Sequence, residues 1–386
     1  MSDPLSAFAH RLLPEIRGGD GRGNLPFDDL ALELFRIQWD RNAAYRRLAE
    51  ASGVSARAVR SWQEIPAVPT LAFKELEMTA LAPSERLRVF HSSGTTGQVP
   101  SRHHHGAESL ALYEASVEAG FESGFWAGSA TALRPVERQP GRTGWTPISL
   151  TPPADSVPHS SLVHMIEHLG STDRAATRTR YVGRVSSDGA WELDGDRVLA
   201  EWSAARESGR PVVLFGTAFN HVHLIELLER ETMECSLPAG SRILETGGYK
   251  GRSREWTKPA LRSAISRCLG VKPEAIVGEY GMSELSSQAY EGPLRLALES
   301  GNTDPAGADR AFVFPAWVRP LVVSPETGRP ARDGEPGLLR ILDLANVWSA
   351  MAVQTGDRAV RRPGGGIELL GRAPAAEPRG CSLMAA

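Results

Sequence analysis

The alternation of helix and strand patterns between residues 197 and 268 constrains the fold more than any other feature of the sequence. Residues 197–207, 222–230 and 256–268 carry apolar side chains at helical spacing. Residues 211–215 and 243–246 are short apolar runs that are typical of buried strands. Because helices that connect parallel strands cover the faces of the sheet, this order predicts an α/β layered core.

The N-terminal part of the chain predicts two further helices, a strand and a third helix. Residues 1–17 and 27–51 have helical patterns, residues 86–91 alternate as a strand does, and residues 108–119 are helical again. A segment rich in Ser, Thr and Gly lies between the last two elements. We therefore expect this segment to be a loop that connects a strand to a helix.

The sequence changes character near residue 305, where short β patterns separated by turns replace the alternation. The last residues are rich in Pro and Ala, as mobile termini often are. We expect an α/β core over residues 1–305, a β-rich subdomain over residues 306–372 that completes the core, and a mobile tail over residues 373–386.

The composition excludes several classes of protein. The net charge is −3 over 386 residues, so we expect no nucleic-acid partner. The chain has no apolar stretch of about 18 residues, so we expect no membrane insertion. The N-terminus lacks a secretory signal, and Cys235, Cys268 and Cys381 lack disulfide or metal-ligand spacing. These observations predict a cytoplasmic location.

The Ser/Thr/Gly segment is a candidate phosphate loop. It consists of Ser92, Ser93, Gly94, Thr95, Thr96 and Gly97. Glycines let several backbone N–H groups converge on an anion, and the hydroxyl groups add further donors. The segment lacks the Gly-Lys-Ser/Thr ending of a Walker loop, which disfavours ordinary P-loop chemistry. Taken alone, it also fits a surface turn.

Two later motifs carry polar residues suited to a nucleotide. An apolar strand pattern ends in Tyr280, Gly281, Met282, Ser283 and Glu284. Tyr280 could stack on a purine, Ser283 could bind a phosphate, and Glu284 could hold Mg²⁺, which prefers oxygen ligands. A later turn contains Asp357, which could accept both hydroxyl groups of a ribose. Each motif is weak by itself, because such residues are common at strand ends and turns.

The order of these motifs resembles that of the adenylate-forming superfamily of acyl-CoA ligases and related enzymes. In that superfamily the loop holds the ATP phosphates, the Tyr-Gly-x-Ser/Thr-Glu motif frames adenine, the α-phosphate and Mg²⁺, and the aspartate holds the ribose. The resemblance also implies that Gly247 and Gly248 lie against adenine and that Arg372 belongs to the same site. ATP and Mg²⁺ are therefore the expected cofactors.

Within this superfamily, the chain resembles the acyl-protein synthetases of bacterial bioluminescence, the ligase subunits of a fatty acid reductase complex. The supporting stretches are residues 69–74, 91–103, 158–162, 214–217, 245–250, 278–285 and 379–382. The resemblance implies a long-chain-fatty-acid–protein ligase, of the acid–thiol ligase class, that carries its acyl group on a cysteine near the C-terminus. Cys381 matches that cysteine. A partner reductase or an acyl carrier protein is the implied acceptor, and a homo-oligomer is left open.

The sequence departs from ordinary acyl-CoA ligases in two places. The residues after the loop lack the usual Pro-Lys, and we expect Arg102 or His103 to supply the positive charge. The sequence also ends soon after Arg372, so we expect the mobile C-terminal domain of a CoA ligase to be absent or vestigial.

Two alternative functions stay open at this point. The first is a stand-alone ligase that adenylates an acyl or aryl acid and passes it to CoA or a carrier protein. The second is a non-catalytic scaffold subunit that keeps the fold. Ser283, Glu284 and Asp357 argue against a scaffold, which has no need of all three. The sequence does not specify the acid.

Overall fold

The structure is a computed structural model of the chain. It describes residues 3–18, 25–92, 99–126, 144–173, 175–231, 236–247, 256–293, 310–363 and 365–373. Within these ranges, no helix is both long enough and apolar enough to cross a membrane.

Helices and strands alternate through the middle of the chain, as the sequence predicts. The helices of the described chain are α1 (Pro4–Gly18), α2 (Phe27–Arg41), α3 (Ala43–Ala51), α4 (Ala72–Glu75), α5 (Ala107–Gly120), α6 (Ser161–Leu169), α7 (Gly195–Ser208), α8 (Ala218–Arg230) and α9 (Lys258–Leu269). The strands are β1 (Val68–Pro69), β2 (Arg88–His91), β3 (Arg102–His105), β4 (Thr146–Ser149), β5 (Arg180–Tyr181), β6 (Gly183–Val185), β7 (Trp191–Leu193), β8 (Val212–Thr217), β9 (Arg242–Thr246), β10 (Ile276–Tyr280), β11 (Ala289–Pro293), β12 (Arg310–Val313), β13 (Val318–Val323), β14 (Pro336–Asp343), β15 (Ala352–Arg361) and β16 (Ile367–Arg372).

One twelve-stranded sheet organises the part of the chain that the structure describes. Its order is β13-β14-β15-β16-β12-β11-β10-β9-β8-β4-β5, and β1 pairs with β15. In this order, neighbouring strands from β10 to β5 pair in parallel. Neighbouring strands from β13 to β10 pair in antiparallel fashion. The α/β class is confirmed. The α/β and β-rich segments share this sheet, and the boundary near residue 305 stays a prediction.

Both faces of the parallel strands are covered by apolar clusters. Successive side chains of a strand point to opposite faces of the sheet, so neighbouring residues enter different clusters. Leu214 of β8 packs into an apolar cluster with Trp202 of α7 and Ile265 of α9. Phe215, the next residue, belongs to a second cluster on the opposite face, together with Tyr113 of α5. A third cluster joins α1 to α3 to the antiparallel strands. Burying each large apolar side chain contributes roughly 1.5–3 kcal/mol before the entropy cost is counted.

The single helix predicted over residues 27–51 is wrong in one respect, because α2 and α3 are separate helices. Asn42 lies between them with φ −108° and ψ 94°, outside the helical region. Its side-chain oxygen accepts a hydrogen bond of 3.0 Å from the N–H of Tyr45. Asparagine is a preferred N-cap residue because it satisfies a backbone donor that the first turn leaves free.

The predicted passage from a strand through the loop to a helix is also corrected. Strands β2 and β3 form an antiparallel pair in which His91 is opposite Arg102. The candidate phosphate loop therefore connects two strands, and α5 begins only after β3. Strand β3 was not predicted because its sequence is polar. Its alternate side chains, His103 and His105, are nevertheless buried.

Gln38 of α2 ties the N-terminal helices to the connection between β14 and β15. Its Nε2 donates to the carbonyl oxygens of Asn346 (2.7 Å) and Val347 (3.0 Å), and its Oε1 accepts from the N–H of Met351 (3.1 Å). The side chain is fully buried. Buried backbone groups need such partners, since an unpaired one costs about 1–3 kcal/mol.

The substitution Gln38→Leu is expected to lower the free energy of unfolding by about 3 kcal/mol or more, because three buried backbone groups lose their partner. Urea denaturation followed by circular dichroism measures this change. Gln63→Leu is the matched control, because Gln63 is exposed and its replacement is expected to change stability by less than about 0.5 kcal/mol. Equal stability of the two variants would contradict the role assigned to Gln38.

Candidate active site

Tyr280, Asp357 and Arg372 meet at the end of β10. The hydroxyl group of Tyr280 donates a hydrogen bond of 2.7 Å to Oδ2 of Asp357, and Nε of Arg372 lies 3.5 Å from Oδ1 of the same aspartate. The pairing of β15 with β16 makes Asp357 and Arg372 direct neighbours. Burial and the adjacent Asp357 carboxylate raise the pKa of Tyr280 well above its usual value, so the phenol keeps its proton. Residues from three separate sequence motifs are thus in contact.

Ser283 connects the motif after β10 to the hairpin of β2 and β3. Its hydroxyl group donates to Oε2 of Glu284 at 3.0 Å, and the hydroxyl oxygen of Ser101 lies 3.2 Å from that of Ser283. Because the Ser283 proton is already engaged, the Ser101 hydroxyl donates in the second contact. The Ser101 N–H in turn donates to Oγ of Ser92 at 2.9 Å. Ser92, the first residue of the predicted phosphate loop, is therefore linked through Ser101 to the motif.

His103 also contacts the motif after β10. Its Nδ1 donates a hydrogen bond of 2.8 Å to the carbonyl oxygen of Ser283. The imidazole is buried, and burial lowers its pKa to about 4. At neutral pH this ring is uncharged and orients the backbone of Ser283.

The sequence predicts a positive charge near the loop from Arg102 or His103. Arg102 is the better candidate, because His103 is uncharged at neutral pH. Its Nη2 donates to the carbonyl oxygen of Lys74 at 3.4 Å. Its Nε is buried and has no hydrogen-bond partner among the residues that the structure describes. A guanidinium group with a free donor is suited to bind a phosphate oxygen.

Gly247 follows β9 with a φ of 67°, a backbone conformation that glycine adopts without strain. The preceding residue, Thr246, lies beside Glu279 in the pairing of β9 with β10. The sharp turn thus occurs next to the motif strand, where the resemblance predicts contact with adenine.

Several predicted site residues lie outside the described residues, and their predicted roles stay untested. They are Ser93, Gly94, Thr95, Thr96, Gly97, Gly248 and Cys381.

Glu279 is a buried acid to which no sequence motif assigns a role. It immediately precedes Tyr280, and one of its oxygens accepts a hydrogen bond from the hydroxyl group of Thr246. Burial raises its pKa to about 7, against the opposing effect of the Thr246 bond. An acidic residue at the end of an otherwise apolar strand was the sequence signal that could have identified it.

The donor set can hold a nucleotide and a metal ion together. Ser101 and Ser283 supply hydroxyl groups, Asp357 supplies a carboxylate, and Arg102 supplies a cation. Glu284 offers the hard oxygen that Mg²⁺ prefers, and Mg²⁺ is commonly held by one or two carboxylates plus phosphate oxygens. Within the described ranges, no group of three or more His, Cys, Asp or Glu side chains could hold a metal ion by itself. A magnesium site here would need the phosphates of the nucleotide.

The sequence is similar to two curated ligases over most of its length. It is 22% identical over 361 residues to the long-chain-fatty-acid–luciferin-component ligase of Vibrio harveyi, which covers 90% of this chain and 84% of that protein. It is 22% identical over 370 residues to the protein of the same name from Aliivibrio fischeri, which covers 93% of this chain and 87% of that protein. The chain is thus similar in sequence to these two luciferin-component ligases. No family model matches it.

Comparison with solved structures gives independent evidence on the fold. An open conformation of 2-hydroxyisobutyryl-CoA ligase, in complex with an adenylate and CoA, superimposes with a TM-score of 0.63 at 13% identity. The match covers 89% of this chain and 73% of that one. The same enzyme in its thioesterification state gives 0.63 at 15% identity and covers 91% and 68%. The chain therefore has the fold of adenylate-forming enzymes, as the motif order predicts.

The substitution Glu279→Gln is expected to stabilise the folded protein by an amount that grows as the pH rises. The pKa of Glu279 is raised from 4.5 to about 7 in the folded protein, so folding opposes loss of this proton. The wild-type carboxyl therefore reduces stability progressively between those two pH values, by a few kcal/mol at most, and the amide does not. Urea denaturation across this range measures the difference.

Glu229→Gln, at an exposed position of α8, is the control for the loss of a carboxyl group. Its stability relative to the wild type should stay nearly constant over the same range. A pH-independent difference for Glu279→Gln would show that Glu279 is not protonated on folding.

Proposed function

We propose that this chain uses ATP and Mg²⁺ to convert a carboxylic acid, a fatty acid in the first instance, into an acyl-adenylate, and then transfers the acyl group to its own Cys381. The observation that carries the first step is the contact among Ser101, Ser283 and Glu284, which joins the hairpin to the motif after β10. The names of the two curated relatives support a fatty acid as the substrate class.

In the first step, a carboxylate oxygen of the acid attacks the α-phosphorus of ATP. The bond between that phosphorus and the bridging oxygen breaks, and the electron pair leaves with pyrophosphate. No protein nucleophile is required, so catalysis consists of positioning and of stabilising the charge on the phosphate oxygens. The guanidinium group of Arg102 is a donor in this role. The hydroxyl groups of Ser101 and Ser283 would join it by turning from their acceptors in this structure, Ser283 and Glu284, to the phosphate.

The nucleoside end is held at the opposite side of the motif. The Tyr280 hydroxyl group orients the carboxylate of Asp357, whose remaining lone pairs accept the ribose hydroxyl groups. Glu284 would contribute an oxygen to Mg²⁺, which neutralises phosphate charge when bound. His103 keeps Ser283 in place through its hydrogen bond to the Ser283 carbonyl oxygen.

In the second step, the Cys381 thiolate attacks the acyl carbon of the adenylate. A thioester forms, the bond from the acyl carbon to the phosphate oxygen breaks, and AMP leaves with that electron pair. The thiolate is the reactive form of cysteine, so the thiol proton must be lost first. A partner reductase or an acyl carrier protein would then take the acyl group from Cys381.

Exchange of pyrophosphate into ATP that depends on an added carboxylic acid tests the first step. Asp357→Ala is expected to raise the KM for ATP about 10- to 100-fold, because hydrogen bonds to a charged group contribute about 1.5–3 kcal/mol. Asp333→Ala, at an exposed turn position, is the matched control and should exchange normally. A complete absence of exchange with any acid would instead favour the non-catalytic scaffold.

Retention of radiolabelled acid on the denatured protein tests the second step. The wild type should retain label in the presence of ATP, and Cys381→Ser should lose nearly all the thioester-linked label while keeping pyrophosphate exchange. Cys268→Ala, in α9, is the control and should retain label. If Cys381→Ser forms acyl-CoA or an acylated carrier protein as fast as the wild type, the stand-alone ligase replaces the self-acylating one.

A further inference from the structure

Glu279 lies at the carboxyl end of the parallel strands. It is on the face of the sheet that carries the apolar cluster of Phe215 and Tyr113. Val277, two residues earlier on β10, belongs to that cluster, so Glu279 points to the same side of the sheet. Tyr290 of β11 is its direct partner in the strand pairing. Ligands of open α/β sheets bind beyond the carboxyl ends of the strands.

The carboxyl group of Glu279 has no cationic partner among the described residues. Burial raises its pKa, the hydrogen bond from Thr246 lowers it, and the nearby Glu245 raises it. No lysine, arginine or histidine that the structure describes contributes. Glu291, on the opposite face of the sheet, differs in this respect because it forms an ion pair with Arg262. A buried carboxyl group without a cation costs stability, so its presence calls for a reason.

Two more polar groups beside Glu279 are buried without partners in the part of the chain that the structure describes. They are the hydroxyl group of Tyr290, a residue 2% exposed, and Oε1 of Gln288, a residue 5% exposed. Burial raises the pKa of Tyr290 well above its usual value, and the nearby Glu279 carboxylate raises it further. Buried polar groups are normally hydrogen-bonded, so an acid, a phenol and an amide oxygen together offer hydrogen-bonding capacity to a ligand or to water.

The Tyr290 ring and the Glu279 carboxyl group are both closely packed against backbone. A Cβ atom at Gly124, in the π-helical turn after α5, would lie 2.5 Å from Cδ2 of Tyr290, so the ring packs directly on that glycine. A Cβ atom at Gly281 would lie 2.5 Å from Oε1 of Glu279, which brings the carboxyl group against the Tyr280–Glu284 motif. The polar groups thus lie between an aromatic wall and the residues assigned to adenylation.

We propose that Glu279 and Tyr290 select the acid to be activated, and that this acid carries a hydroxyl or amino group that hydrogen-bonds to the Glu279 carboxyl. The inference rests on the proposed adenylation function and narrows its substrate class from plain fatty acids to acids that bear a hydrogen-bond donor. A site with buried polar groups rejects an analogue that lacks the matching group, because those groups then stay unpaired.

Acid-dependent pyrophosphate exchange with matched pairs of acids tests the proposal. Each saturated fatty acid is compared with its 2-hydroxy, 3-hydroxy and ω-hydroxy forms and with the corresponding amino acids of equal chain length. At least one donor-bearing acid should exceed its unsubstituted match by about 10-fold or more in kcat/KM. The hydroxy and amino arms distinguish a neutral donor from an ammonium group.

Three variants then assign the preference to the two residues. Glu279→Leu should bring the ratio of the preferred acid to its unsubstituted match close to one. Glu279→Gln should retain part of a preference for a hydroxyl group and lose a preference for an ammonium group. Tyr290→Phe, which keeps the ring packing against Gly124, should reduce the ratio several-fold, and the exposed Glu229→Gln should leave it unchanged.

The outcomes separate this inference from the proposed function. Exchange with plain fatty acids and no preference for any donor-bearing acid would support adenylation and overturn the role of Glu279. A preference that survives both Glu279→Leu and Tyr290→Phe would also overturn it. Absence of exchange with every acid overturns the adenylation proposal, and this inference with it. If Glu279→Leu does not fold, the ratio measured with Tyr290→Phe and Glu279→Gln decides.

Discussion

A buried polar network around Asp343 keeps the parts of the candidate site in register. The Asp343 carboxylate accepts hydrogen bonds from the N–H of Ser286 (2.9 Å), the hydroxyl group of Ser287 (2.8 Å) and the N–H of Ala345 (3.0 Å). Asn346 adds a bond of 2.9 Å to the carbonyl oxygen of Glu284. These bonds fix the chain after the β10 motif to the end of β14, which pairs with β15. The contact of Tyr280 with Asp357 depends on that connection.

The sequence predicted the parts of the fold that local patterns specify. The alternation from α7 to α9 was found because each element has its own apolar periodicity and clear ends. The division at Asn42 and the strand β3 were not predicted, because their causes are not local. Asn42 caps α3 only once α2 has ended, and β3 is a strand because it pairs with β2. A polar run such as residues 102–105 has no apolar alternation to reveal this pairing.

The same division applies to the site. Tyr280, Asp357 and Arg372 were predicted from motif order, and the structure brings them into contact. Ser101 was not predicted, because its role comes from the approach of the hairpin to Ser283 rather than from any motif. The supporting network of Asp343 and Asn346 belongs to no motif either. Motifs predict the groups proposed to bind a nucleotide, whereas the residues that orient those groups are recognisable only after folding.

Glu279 shows how local reasoning fails at a place that can carry function. A strand that is apolar up to its last residues predicts another apolar side chain there, and the acid is unfavourable for folding. Asp343 is also buried, and burial raises its pKa to about 6, but three donors satisfy it. Glu279 has one donor, from Thr246. The two buried acids thus differ in the number of hydrogen bonds that they accept. The fully hydrogen-bonded Asp343 organises the fold, and Glu279 keeps hydrogen-bonding capacity for a ligand.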